Sequence, residues 1–110
     1  MREVEFRRLF DENNAARIRF QVERGRVLEF VVQLECRFRN EWHAVVRYDT
    51  AHGYAHVDVM HPAKQAEKIR LASQDHNAVL TEAISDLAKN WALYGQRYEQ
   101  WLLEKNQSNE

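Results

Sequence analysis

Hydrophobic residues recur at every second position through the first seventy residues of this 110-residue chain, and at every third or fourth position after that. The alternating set comprises Val4 and Phe6; Ile18, Phe20 and Val22; Leu28 through Phe38; Trp42, Ala44, Val46 and Tyr48; and Ala55, Val57 and Val59. Period two is the mark of a strand with one face against a core and the other in water, so five strands are expected. Lys68–Leu71 adds a short sixth. From Asp75 onward the period becomes helical, with Leu80, Ile84, Leu87, Trp91, Tyr94, Tyr98 and Leu102 on one stripe.

Asp75 is the natural N-cap of that helix. Residues 75 to 104 would make a helix about 45 Å long at 1.5 Å per residue. The strand over 26–39 reaches about 46 Å at about 3.3 Å per residue, so one helix can lie along the sheet. Gly95 lowers helix propensity by up to about 1 kcal/mol relative to alanine and marks a kink or a close contact. The fold expected is α+β: an antiparallel five- to six-stranded β-meander with one long C-terminal α-helix packed on one face. It forms a single domain over 1–105, followed by a polar, disordered tail over 106–110.

Antiparallel partners have a constant index sum and share a face, so the apolar sets select loop lengths. Pairing Val22 with Leu28 gives a sum of about fifty and a loop Arg24-Gly25-Arg26; pairing Phe38 with Trp42 gives about eighty and a loop Arg39-Asn40-Glu41. A four-residue loop, Thr50 to Gly53, sets Asp49 against Tyr54 and Arg47 against His56. The polar face then reads in rows: Arg17, Gln33, Arg47, His56; Arg19, Val31, Asp49, Tyr54; Glu35, Val45, Asp58; and Arg37, His43, Met60.

Charge changes this picture only locally. Sixteen basic and seventeen acidic residues leave a net charge of −1, so the whole molecule does not advertise a nucleic-acid partner. Ten of the twelve arginines nevertheless fall in the first fifty residues, among nine acids, so a basic patch must be local to the sheet. A chain of this size buries a core without disulfides. Its one cysteine, Cys36, sits in the apolar alternation and suits a reducing compartment as a buried thiol rather than a nucleophile. There is no long apolar N-terminal segment and no run long enough for a membrane span, so a cytoplasmic chain with no membrane contact is expected.

The stretch RYDTAHGYAHVDVMH, residues 47–61, holds three of the five histidines. His56, opposite Arg47 and two residues from Asp58 on the same face, is the expected acid-base group. Arg47 would neutralise phosphate and Asp49 or Asp58 would orient the ring, with Arg17, Arg19, Arg37, His43 and Tyr54 forming the substrate-binding surround. Such a set suits metal-independent RNA cleavage. Mixed charge on the solvated face of an antiparallel sheet is also what any two-layer domain needs, and plain surface is the stronger reading of the two. A metal site from His52, His56, Asp58 and His61 fails on parity, because His61 faces the other way and His52 lies in the loop. No metal and no cofactor are expected, and no phosphate-cradling loop or nucleotide fingerprint is present.

From VLEFVVQLECRF through WHAVVRYDTAHGYAHVDVMHP to the helix, the chain resembles a family of small uncharacterised bacterial and archaeal proteins. More locally, Tyr48-Asp49-Thr50, Gly53 and His56 with Asp58 are similar to the Tyr-Asp, Gly, His-x-His pattern of TumE-type toxins of toxin-antitoxin pairs, with Asp58 where that pattern has a second histidine. The resemblance implies a toxin acting on RNA beside a cognate antitoxin protein, with Asp49 and His56 as the matching positions. The alternative is a non-catalytic module that binds a protein partner, or itself as a homodimer, through the helix stripe and a sheet edge.

Overall fold

The computed structural model describes residues 1–108. Six strands follow one another in space as in sequence, each antiparallel to the next: β1 (Arg2–Asp11), β2 (Asn14–Glu23), β3 (Arg26–Phe38), β4 (Glu41–Asp49), β5 (His56–Val59) and β6 (Glu67–Arg70). One helix, α1 (His76–Ser108), closes the chain. At 33 residues it is about 50 Å long, close to the longest dimension of the molecule, 54 Å. It runs past the tail boundary expected near residue 105; Asn109 and Glu110 lie outside the described residues.

Asp75 caps the helix as its sequence position suggests, accepting from the amides of Asn77 and Ala78 at 3.1 and 3.3 Å. Asn77 ties the first turn to the β2–β3 hairpin: its amide nitrogen donates to the Gly25 carbonyl, and its Oδ1 accepts from the Val27 amide. From there α1 runs along β3. Val79, Leu80, Ala83, Leu87 and Tyr98 are buried against Ile18, Val32, Leu34, Cys36 and Val46. Gly95 marks a close approach rather than a break: a Cβ there would lie 3.4 Å from the Cys36 sulfur, and the helix is continuous through it.

Every one of the first three hairpins absorbs an extra residue. The β1–β2 register skips Phe10, β2–β3 skips Leu28 and β3–β4 skips Val45. The second and third hairpins close in two residues, Arg24-Gly25 and Arg39-Asn40, all at positive φ, not in the expected three. The index sums fifty and eighty hold over the strand centres, and each falls by one between bulge and turn. Past the Val45 bulge this reverses the faces of β4, and Ala44, expected in the core, pairs with Glu35 of the polar face. Trp42 pairs with Arg37 and points away from the helix, where the Arg7 guanidinium lies 4.9 Å from its ring, although its alternation assigned it to the core. His43, expected on the polar face, instead contacts Phe38 and Tyr98 beneath the helix.

A polar clamp joins helix and sheet. Tyr48 of β4 donates to Asp86 at 2.6 Å, and Tyr94 donates to the same carboxylate at 2.9 Å. Burial, reinforced by that hydrogen bond, holds both phenols protonated: Tyr94 is pushed up to about 12 and Tyr48 higher still. In the unfolded chain both would lose their protons near the ordinary value of 10.0. The unfolded state therefore binds fewer protons above that value, and stability falls as pH rises from there. Urea unfolding midpoints should drop across the alkaline range, and Tyr48→Phe should flatten that slope; an unchanged slope would show that the clamp does not govern alkaline stability.

Candidate functional site

The sheet face turned away from α1 carries a mainly polar surface, interrupted by Val31 and Trp42. Its central rows are Arg7, Arg17, Gln33, Arg47, Asp58, Lys68, and Glu5, Arg19, Val31, Asp49, His56, Arg70. The β4–β5 register differs by two from the expected one: Asp49, not Arg47, stands opposite His56, and Arg47 stands opposite Asp58. The cause lies in Ala55. Its amide and carbonyl are taken by the Gln74 side chain, and its carbonyl also by the Leu71 amide, so it bonds away from β4 and the connection lengthens to residues 50–55. A short 3₁₀ turn over Ala51–Gly53 fills it, with His52 and Gly53 at positive φ. A shift of two preserves every side chain's face.

His56 is on the expected face but not in water. Its side chain is only 1 % exposed. The Tyr54 ring packs against it at 5.2 Å, and the Arg70 guanidinium lies over Tyr54 at 4.9 Å. The ring Nδ1 faces the Tyr54 carbonyl at 3.2 Å; a carbonyl only accepts, so Nδ1 carries a hydrogen and donates it. Nε2 lies 2.7 Å from Asp49 Oδ1 and 3.7 Å from Asp58 Oδ2. The Asp49 contact is short but off the ring N–H direction, so Nε2 makes no aligned hydrogen bond, and Asp58 Oδ1 is likewise buried without a donor.

Asp49 has two further partners: Oδ1 accepts from the Ala51 amide at 3.0 Å, and Oδ2 lies 3.9 Å from Arg47 Nε. From Arg47 a chain of side chains crosses the sheet. Arg47 donates to Gln33 at 2.9 Å, Gln33 donates to Glu35 at 2.9 Å, and Arg17 donates to the same Glu35 oxygen at 3.2 Å. Beside this network a cavity of about 310 Å³ opens on the polar face, with Arg19, Arg47, Asp49 and Glu29 among its walls.

The structure thus brings together Arg47, Asp49, His56, Asp58 and Tyr54, and places Arg17 and Arg19 on β2, across β3 from them. Arg37 lies further along the same face, bonded to Asn40. His43 is on the other side, between Phe38 and Tyr98. Gln33 and Glu35, set on the polar face by the alternation but given no role there, link the arginines. Their signal was a glutamine and a glutamate at consecutive polar-face positions of β3, between Val31 and Arg37. His52 is exposed in the loop and His61 stacks on Trp101 at 4.5 Å, so neither joins the His56 cluster.

Cys36 is fully buried, and burial pushes its thiol up to about 12, so it stays a neutral thiol at physiological pH. A thiol-specific disulfide reagent should modify it only at the rate of global unfolding; rapid labelling of the native chain would show that the helix does not seal it.

Among the described residues no helix is long and apolar enough to cross a membrane. A protein-family model described as Domain of unknown function (DUF7718) matches residues 1–104. No curated protein and no solved structure matches the chain.

Proposed function

The chain belongs to the DUF7718 family, and we propose that it is a small toxin-like protein acting on RNA through the polar face of its sheet. The observation that carries this reading is the cavity in which Arg19 and Arg47 stand beside the Asp49 carboxylate. Two guanidiniums on a sheet face match the phosphates of a single strand, and they neutralise charge developing at a phosphodiester. The resemblance to TumE-type toxins supports it from a second side, because the two matching positions, Asp49 and His56, are the pair that meets at 2.7 Å.

In this reading Arg19 and Arg47 hold phosphate, and Arg17 and Arg37 extend the track along β2 and β3. Asp49 lines the cavity and is the carboxylate that RNA reaches. His56 has no exposed surface, so it acts as a positioning residue behind Asp49, with Asp58 beside it and Tyr54 as its cover. A cognate antitoxin protein would neutralise the toxin by covering this face.

The alternative, self-association through the helix stripe, draws less support, since Tyr98 is buried in the core and Trp101 stacks on His61. The edge strand β1 carries Arg2, Glu3, Glu5, Arg7, Arg8 and Asp11, charges of the kind that discourage edge pairing.

Anisotropy titration of a labelled single-stranded RNA tests the proposal. Arg19→Gln and Arg47→Gln should each weaken binding and lower the salt slope by about 0.7 to 1. Expression of the wild type should arrest growth, and Arg47→Gln should relieve it. Salt-independent binding, or equal binding by the double variant, would remove the polar face as the RNA surface.

A further inference from the structure

A buried carboxylate, a half-buried one and a buried imidazole converge within the β4–β5 hairpin. One ligand atom from each of Asp49, His56 and Asp58 lies within 4.8 Å of the others. The proton inventory of this cluster is incomplete. Nδ1 gives its hydrogen to the Tyr54 carbonyl, so a neutral His56 presents a bare Nε2 lone pair toward two carboxylates, acceptor facing acceptors. A hydrogen on Nε2 would point away from the Asp49 oxygen, which lies 2.7 Å off but out of line, so it would leave that contact without a hydrogen bond. Asp58 Oδ1 is a second buried acceptor with no donor. Such unmet acceptors out of water are costly unless something positive lies between them.

We propose that Asp49 Oδ1, His56 Nε2 and an Asp58 carboxylate oxygen bind one divalent transition-metal ion of the Zn²⁺ or Mn²⁺ class. The donor set is one borderline nitrogen and two hard oxygens, which suits these ions over Ca²⁺ on the nitrogen and over Cu⁺ on the oxygens. The surroundings are those of a ligand shell. A metal-bound histidine characteristically donates its other ring N–H to a backbone carbonyl, as Nδ1 does here, and a ligating carboxylate is itself hydrogen-bonded, as Asp49 is by the Ala51 amide.

Spacing agrees as well. Four-coordinate ligands about 2.1 Å from a zinc ion stand about 3.4 Å apart, and the observed 2.7 and 3.7 Å bracket that separation. His52 and His61, the histidines that a zinc motif would enlist, are not needed. Three protein ligands leave a coordination position for water, beside the carboxylate that lines the cavity. The inference stands apart from the RNA reading, because ion binding is measured without RNA.

Calorimetric titration of chelator-stripped full-length protein with Zn²⁺, and separately with Mn²⁺, tests it. The wild type should take up one ion per chain of at least one of the two. Asp58→Asn, nearly isosteric, should weaken that binding by more than about tenfold, while His52→Asn/His61→Asn should leave it unchanged. If neither ion binds stoichiometrically, or Asp58→Asn binds as the wild type does, the site is overturned. Should Asp58→Asn fail to fold, ring-nitrogen NMR of the wild type decides: the ion must move His56 Nε2, and movement of His52 and His61 alone overturns the proposal.

Discussion

Asp49 and His56, opposed across β4 and β5, bring two ionisable side chains out of water on the one sheet face that has no helix over it. Such a pair is costly unless every polar atom finds a partner, and a buried polar atom left without one typically costs about 1–3 kcal/mol. Much of the local structure serves that need. The Tyr54 carbonyl takes the Nδ1 hydrogen, the Ala51 amide meets Asp49, and the Tyr54 ring with Arg70 keeps water away. The loop between the two strands is therefore fixed from both ends: by Asp49 and Thr50 at its start, where Thr50 Oγ1 accepts from the Phe30 amide, and by Gln74 at Ala55.

The two faces of the sheet divide the work. On one, α1 and the apolar rows of β2, β3 and β4 make the core, with the Asp86 clamp as its polar fastening. On the other, arginines and acids link in a line from Arg17 to Asp49 that holds the guanidiniums in place before any ligand arrives. The bulges set where this division holds. Phe10, released from the ladder, stacks on Trp91 of the helix, and Val45 turns Trp42 outward and His43 inward.

The sheet-and-helix architecture was legible because period-two and helical patterning report directly which side of each element is apolar, and the Asp75 cap is a local signal. The composition of the polar face was legible for a related reason: a two-residue error in the β4–β5 loop leaves Arg47, Asp49, His56 and Asp58 on the same side. Their pairing was not legible, since it depends on Gln74 capturing Ala55 from nineteen residues away. Nor did sequence disclose that His56 is buried, because the cover comes from a neighbouring tyrosine ring and an arginine on β6. His43 and Trp42 were misplaced by one bulge, which alternation cannot foresee when both parities offer an aromatic ring. Asp86, on a helix of many charges, becomes distinctive only when two phenols reach it.

All of this turns on what stands between a buried imidazole and its two carboxylates. A long-range proton–nitrogen correlation spectrum of the histidine rings, recorded on ion-free protein in mildly alkaline buffer, reads the answer directly. The account predicts a neutral His56 protonated on Nδ1, with Nε2 bare and facing Asp49 and Asp58. A ring protonated on Nε2 instead would place a hydrogen where the account requires an open coordination site, and would contradict it.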